Sequence, residues 1–332
     1  MSRPAAIRRA CALGAALALA ACGGGGVGAG TALAEPPTTV QELQCQAQGW
    51  QRGVVSAAGL QRLLLWKAPP SGNWTRGAIV VMHGGGGQHT NFCVANVDSI
   101  AAQVRFTAAA LASGFAVFLL DSSDRITDSA GRLCGKVWDD EVRARDNLDL
   151  PFIEQVLRQE IPARRSPGSR SEVFLTGLSS GGYMTVRAAT RLNPLVTAFA
   201  PVASGDPYGW HRDCTPLPTD RSNVFGLALD NDTSLQISLS QSCAPLGDAA
   251  ERTWDNGGAA VRPAWRMFHH ENDGIHDLSC VQRVRRQLQA HDYPQVPPFT
   301  LTGAARSAAL HSWQDEYNAP LLDFFIARLG AP

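Results

Sequence analysis

Between Ser171 and Thr185 the chain reads Ser-Glu-Val-Phe-Leu-Thr-Gly-Leu-Ser-Ser-Gly-Gly-Tyr-Met-Thr. An apolar, β-prone run (Val173, Phe174, Leu175) meets Gly177-Leu-Ser179-Ser-Gly181, and a helix-forming stretch follows from Tyr183 to Arg191. A G-x-S-x-G pentapeptide set between a strand and a helix demands a sharp, strained turn. The flanking glycines let strand and helix pass closely, and the central serine stands at the carboxyl edge of a sheet. Its neighbouring N–H groups belong to a helix N-terminus, where the dipole favours negative charge. Such a turn suits a serine nucleophile attacking a carbonyl. Glycine and serine are common enough that the pentapeptide alone decides little. Its weight depends on whether a base, a carboxylate and an anion-stabilising loop occur at compatible places.

The rest of the chain supplies the sheet. Leu60 to Lys67 reads as an early strand, and Gly77 to Met82 as a buried strand ending at His83-Gly-Gly-Gly-Gly87. Helical spacing covers Val97 to Ser113, and Phe115 to Leu120 is a strand closing on Asp121. Asp146 to Ile161 places Phe152, Ile153, Val156 and Leu157 on one helical face. After the Ser179 unit come a strand at Val196–Val202, a strand at Ala264–His269, a helix at Leu278–Ala290, a strand at Pro298–Thr302 and a helix at Glu316–Leu329. Alternating strands and helices predict an α/β fold, a mostly parallel sheet with helices on both faces. Residues 205–262, rich in Gly, Pro, Asn, Asp and Trp, break the rhythm and read as a loop-rich insertion near the site. The expected domain runs over residues 45–332.

A serine hydroxyl is a poor nucleophile at neutral pH without a base, and imidazole suits that role. Of eight histidines, His311 falls between the last strand and the last helix, on the sheet edge of Ser179. His291 ends a helix, His211 lies in the insertion, and His269 sits in a strand. Asp273, just past a strand and followed by Gly274, is the candidate carboxylate to orient His311, with Asp277 and Glu271 as rivals. Asp277 also suits a helix cap. The order Ser179, Asp273, His311 is that of α/β-hydrolase folds. Backbone donors for a developing oxyanion are expected from Ser180 and from the glycine loop, at Gly85 or Gly86. A phosphate-binding reading of that loop fails for want of G-K-[ST] or G-x-G-x-x-G with a trailing acid.

Composition narrows the rest. With 45% hydrophobic residues over 332 positions the chain can bury one large core. Residues 1–21 carry Arg3, Arg8 and Arg9 and no acid. Beyond them stand 26 basic against 29 acidic side chains, a net of −3 that gives nucleic acid no footing. The basic start followed by the apolar run Ala10–Ala21 is a signal peptide, too short to span a bilayer. Leu19-Ala20-Ala21-Cys22 resembles a bacterial lipobox, which would lipidate Cys22 and make residues 22–44 a tether. Ala32-Leu33-Ala34 offers a competing cleavage site. Either places the protein outside the cytoplasm, lipid-anchored or secreted. Six cysteines then remain, Cys45, Cys93, Cys134, Cys214, Cys243 and Cys280, enough for three disulfides. Cys93 and Cys134 are the expected pair, since both follow neighbouring strands. No C-x-x-C occurs and no metal is expected; no cofactor is implied either.

These features together resemble the α/β-hydrolase superfamily, and within it the exported polyhydroxybutyrate depolymerase and feruloyl esterase group. The matching segments are the His83-Gly loop, Asn147-Leu-Asp149-Leu-Pro-Phe152-Ile, Gly177-Leu-Ser-Ser-Gly-Gly-Tyr-Met184, Asp273 and His311-Ser-Trp313, across roughly residues 60–328. The resemblance implies a serine esterase with Ser179, Asp273 and His311 as its triad, acting on small or oligomeric esters. Ser-Ser-Gly-Gly-x-Met-Thr is also similar to exported hydrolases that cleave β-diketones, so carbon–carbon or peptide hydrolysis stays open, as does a non-enzymatic surface lipoprotein. Trp313, Trp138, Trp210 and Trp254 are candidates for holding the substrate, or else packing residues.

Overall fold

In the computed structural model the central strands are continuous apolar runs. β3 (Ala78–Met82), β4 (Ala116–Leu120), β5 (Val173–Leu178) and β6 (Ala198–Val202) are buried along their whole lengths. Both faces of such strands must be covered, and successive side chains divide between them. Ala78, Val80 and Met82 enter one core with Ala116, Phe118 and Leu120. Ile79, Val81, Val117 and Leu119 enter the other. The structure describes residues 34–123, 125, 136–140, 146–208, 254, 257, 260–276 and 278–330.

Among these residues the sheet has nine strands, ordered β1-β2-β4-β3-β5-β6-β8-β9 with β7 beside β6. β1 (Gln51–Ala57) and β2 (Leu60–Lys67) are an antiparallel hairpin, and β2 runs antiparallel to β4. The remaining pairings are parallel, including the short β7 (Ala264–Trp265), β8 (Phe268–His270) and β9 (Phe299–Leu301). The hairpin turns on two residues of positive φ, Ala58 at 50° and Gly59 at 71°, a backbone matched to strand twist.

The helices divide by face. α1 (Val40–Ala47) and α2 (Ala101–Ala112) lie on the face that also receives α7 (Asn318–Ile326), where Cys45, Phe106, Ala110, Leu321 and Phe325 are buried together. α3 (Leu150–Gln155), continued through a π-helical turn into α4 (Ile161–Arg164), covers the other face with α5 (Ser180–Arg191) and α6 (Leu278–Ala290).

Three expectations need correction. The tether expected over 22–44 overlaps α1, a capped helix: Thr39 and Glu42 exchange side-chain bonds with each other's amides. The single strand expected at Ala264–His269 is two, broken at Arg266 and Met267. The pair Cys93–Cys134 is excluded, because Cys93 is bonded to Cys45 with Cα atoms 5.6 Å apart. That pairing follows from α1, which carries Cys45 onto the turn at His89–Phe92. Cys22, Ala32, Leu33, Cys134, Trp210, His211, Cys214, Cys243, Asp277 and most of the 205–262 insertion lie outside the described residues, as does the side chain of Cys280.

Candidate active site

Ser179 joins β5 to α5 at φ 52°, ψ −118°, a conformation that strains a residue bearing a Cβ. The crossing is tight enough to require glycine on both sides. A Cβ on Gly177 would lie 2.4 Å from the Gly181 carbonyl oxygen, and one on Gly181 would lie 2.3 Å from that of Met82. The amide of Ser179 donates to the Val202 carbonyl at 2.9 Å, so the turn is tied to β6 as well.

The loops after β8 and β9 bring the partners. They touch through a bridge between Asp273 and Ser307, with Gly274 N–H donating to the Ser307 carbonyl at 2.9 Å. Gly274 is needed there, since a Cβ would fall 2.5 Å from the Ser307 carbonyl carbon. His311 closes a short 3-10 turn (Ala308–His311). Its Nδ1 lies 2.8 Å from Asp273 Oδ2 and its Nε2 lies 2.8 Å from Ser179 Oγ. All three residues are buried. A carboxylate can only accept, so Nδ1 carries the proton and Nε2 is left to accept from the serine hydroxyl. Asp273 Oδ1 also accepts from the amides of Ile275 at 2.7 Å and His276 at 2.9 Å. Burial by itself would push the Asp273 carboxyl up. The charge and hydrogen bond of His311, with His276 and His269 nearby, outweigh it and hold the group below the usual carboxylate range. The rival Glu271 turns away to accept from the Gly303 amide.

His276 went unnoticed as a site residue in the sequence. Its Nδ1–H donates to the Ala203 carbonyl at 2.8 Å, and its ring stands edge-on to His311, 4.4 Å between centroids and 82° between planes. Only its position three residues after Asp273 would have hinted at it. His269 lies inside β8 with no exposed surface, and His291 stacks on Trp254.

The glycine loop sits opposite. Gly84, Gly85 and Gly87 line a pocket with Ser179 and His311, enclosing about 480 Å³ of atom-free space that opens to solvent. Ser180 is the first residue of α5, so its amide is one of the helix's unpaired donors. Gly86 corrects the expectation: its N–H is bonded to the Lys136 carbonyl at 2.7 Å, which leaves Gly85 as the loop's candidate donor. The loop is braced through His83, whose Nδ1–H donates to the Gly84 carbonyl and whose Nε2 accepts from the Ser122 amide.

Of the four candidate tryptophans, the three described take the packing alternative. Trp138 is fully buried; its indole N–H donates to the His83 carbonyl at 2.8 Å and its amide donates to Ser180 Oγ at 3.0 Å. Trp313 is buried between Phe92 and Phe106 and donates to Asn318. Trp254 packs among Tyr208, His291 and Tyr293. All three hold framework together, Trp138 and Trp313 fully buried and Trp254 partly so. Asp149, in the segment Asn147–Ile153, is likewise structural: its carboxylate pairs with Arg62 at 2.5 Å and accepts from the Asp139 amide.

A second polar cluster adjoins the site. Asp121, at the end of β4, contacts His83, His89 and Lys136, and His89 reaches Glu42 of α1. Burial opposes charge on Asp121, but the charges of His89 and Lys136 hold it well below the usual range. Among the described residues no cluster of three or more His, Cys, Asp or Glu is arranged to hold a metal ion.

No family model matches the chain. Over 130 residues, 39% of its length, it is 30% identical to the kynurenine formamidase of Bordetella pertussis and spans 57% of that protein. In three dimensions it is similar to an acetyl xylan esterase from Aspergillus awamori, with TM-score 0.53, 14% identity, and coverage of 84% of this chain and 100% of that one. It is also similar to an acylaminoacyl peptidase from Pyrococcus horikoshii, with TM-score 0.51, 14% identity, and coverage of 84% of this chain but 41% of the peptidase. The chain thus spans little more than half of the curated relative and less than half of the peptidase. At these identities the structural likeness speaks for the fold.

Proposed function

From an α/β-hydrolase fold that carries a buried serine, imidazole and carboxylate in one hydrogen-bonded file, we infer that the chain is a serine hydrolase of carboxylic esters. The observation that carries this reading is the pair of 2.8 Å contacts joining Ser179, His311 and Asp273. Ser179 Oγ attacks the ester carbonyl as His311 Nε2 takes its proton. Asp273 keeps Nδ1 protonated and stabilises the imidazolium. The carbonyl oxygen, now an oxyanion, accepts from the amides of Ser180 and Gly85. His311 then protonates the departing alcohol, and water repeats the sequence on the acyl-enzyme, freeing the acid and Ser179.

The mouth of the pocket combines small glycine surfaces with the apolar Ile100, Leu178 and Ala308, which favours small or oligomeric esters such as short hydroxyalkanoate or aryl esters. The likenesses to an acetyl xylan esterase and a kynurenine formamidase support hydrolysis at a carbonyl. A panel of short-chain esters, hydroxybutyrate oligomers, feruloyl esters, formamides, peptides and β-diketones tests the bond cleaved. Ser179→Ala should fold yet lose nearly all turnover and all labelling by a fluorophosphonate. Full esterase activity in that variant would sink the assignment.

The signal segment and Leu19–Cys22 support export with a lipid on Cys22, and the Cys45–Cys93 disulfide suits an oxidising compartment. Mass spectrometry of the mature N-terminus tests this; an unmodified start at Glu35 would refute lipidation.

A further inference from the structure

The Asp121 carboxylate is buried beside the site, yet no step of ester hydrolysis uses it. Burying a charge is costly unless its partners are held in place. Its Oδ1 accepts from the His89 amide at 3.3 Å and lies 3.3 Å from His89 Nδ1, and its Oδ2 takes the ammonium of Lys136. Lys136 works in two directions. Its side chain ends on Asp121, just past β4, while its backbone carbonyl accepts the Gly86 amide at 2.7 Å. Two residues on, Trp138 donates to the His83 carbonyl and to Ser180 Oγ. Residues 136–138 thus tie the glycine loop to the first residue of α5, and these two segments carry the candidate oxyanion donors.

A peptide group is planar and trans, so its N–H points opposite to its C=O. The Gly84 carbonyl accepts from His83 Nδ1–H at 2.7 Å and from the Gly87 amide at 3.0 Å, which sets the direction of the Gly85 N–H. Gly86 has φ 74°. Glycine holds that conformation without strain but has many others open to it. The bond from Gly86 N–H to Lys136 removes that freedom, and it is only as well placed as Lys136 itself.

Resting on the serine-esterase reading, we propose that Lys136 is a positioning residue of the oxyanion hole: Asp121 anchors its ammonium, and its carbonyl thereby holds Gly86 so that the Gly85 N–H meets the developing oxyanion. Lys136 does not line the pocket, so it acts through the loop and not on the substrate. Its effect falls on the transition state, because an oxyanion needs the donor more than the ground-state carbonyl does.

The test measures hydrolysis of 4-nitrophenyl butyrate by Lys136→Met, Lys136→Arg and Asp121→Asn, with kcat expressed per site titrated by a fluorophosphonate. That titration separates misfolded protein from slow protein. Lys136→Met makes the smaller demand on folding, since the Lys136 side chain is 31% exposed and Asp121 keeps His89 as a partner. Losing an oxyanion donor outright costs about a hundredfold or more, so loosening one should lower kcat about tenfold in Lys136→Met and Asp121→Asn, with KM within about twofold of the wild type. Lys136→Arg keeps the cation and should recover most of the loss. The Ki of a butyl trifluoromethyl ketone, which forms a tetrahedral oxyanion on Ser179, should rise by the factor by which kcat falls. Combining Lys136→Met with Asp121→Asn should cost kcat no more than either alone, because both act through one ion pair. Unchanged kcat per titrated site in Lys136→Met and Asp121→Asn, or an equal loss in Lys136→Arg and Lys136→Met, would overturn the proposal while leaving the esterase reading standing. Failure of the wild type to label or to hydrolyse the ester would instead overturn the esterase reading itself.

Discussion

Replacing Asp273 by asparagine separates orientation of the base from the integrity of the fold. The carboxylate accepts three hydrogen bonds, from His311 Nδ1 and from the amides of Ile275 and His276. In Asp273→Asn the carboxamide oxygen can keep both amides, so the loop retains its shape. The carboxamide nitrogen then faces His311 Nδ1 and donates to it. That forces the proton onto Nε2, which can no longer accept from Ser179. A wrong tautomer of this kind costs about ten-thousandfold in kcat, equivalent to about 5.4 kcal/mol of barrier. Asp273→Ala behaves differently, because it strands the Ile275 and His276 amides without an acceptor, at about 1–3 kcal/mol each. Turnover of a short ester and thermal denaturation would be measured for both variants. The asparagine variant should lose only the stability that the ionised carboxylate supplies and be almost inactive; the alanine variant should melt lower still. The reasoning fails if Asp273→Asn keeps more than a tenth of wild-type kcat. A pH series adds a check. The Asp273 carboxyl is held below its ordinary range, so its contribution to stability is complete above the unfolded value near about 4 and fades as pH falls toward the folded value. The stability gap between wild type and Asp273→Asn should be flat above about pH 5 and shrink below about pH 4.

Other substitutions test separate parts of the structure. Ser179→Gly should relieve the positive-φ strain, about 1 kcal/mol or more, and raise Tm by about 1–3 °C, whereas Ser179→Ala should not; equal melting of the two inactive variants would contradict a strained turn. The Cys45–Cys93 bond spans 48 residues of sequence, and chain entropy then predicts a loss of about 4 kcal/mol on its removal. Urea unfolding of Cys45→Ser, compared with the wild type with and without reductant, checks this, and identical midpoints would refute it.

Much of the site was legible because its chemistry is local or ordered along the chain. The strained turn at Ser179 announces itself through Gly177 and Gly181, since only glycine tolerates the carbonyls that crowd those positions. Strands β3 to β6 were readable because burial on both faces leaves an uninterrupted apolar run. The pairing of Asp273 with His311 could be expected from loops that follow neighbouring strands. What escaped depends on contacts far apart in sequence. Nothing near Gly86 reveals that its amide is bonded to Lys136, and nothing in a tryptophan says which layer will bury it. α1 looked like tether because its polar Glu42 and Gln residues mask a short helix whose stability comes from the Cys45 cross-link and the Glu42–His89 contact.

The Asp273–Ser307 bridge carries a consequence for biosynthesis. The chain emerges from its N-terminus and domains form as it lengthens, so the Ser179 turn is made 94 residues before Asp273 and 132 before His311. Its sharp backbone can be set by β3, β5, β6 and α5 alone. The base and its carboxylate arrive with the short β8 and β9, and meet only when their loops join at that bridge. A growing or C-terminally shortened chain therefore holds a serine without a proton acceptor, and hydrolytic competence is the last property the polypeptide acquires.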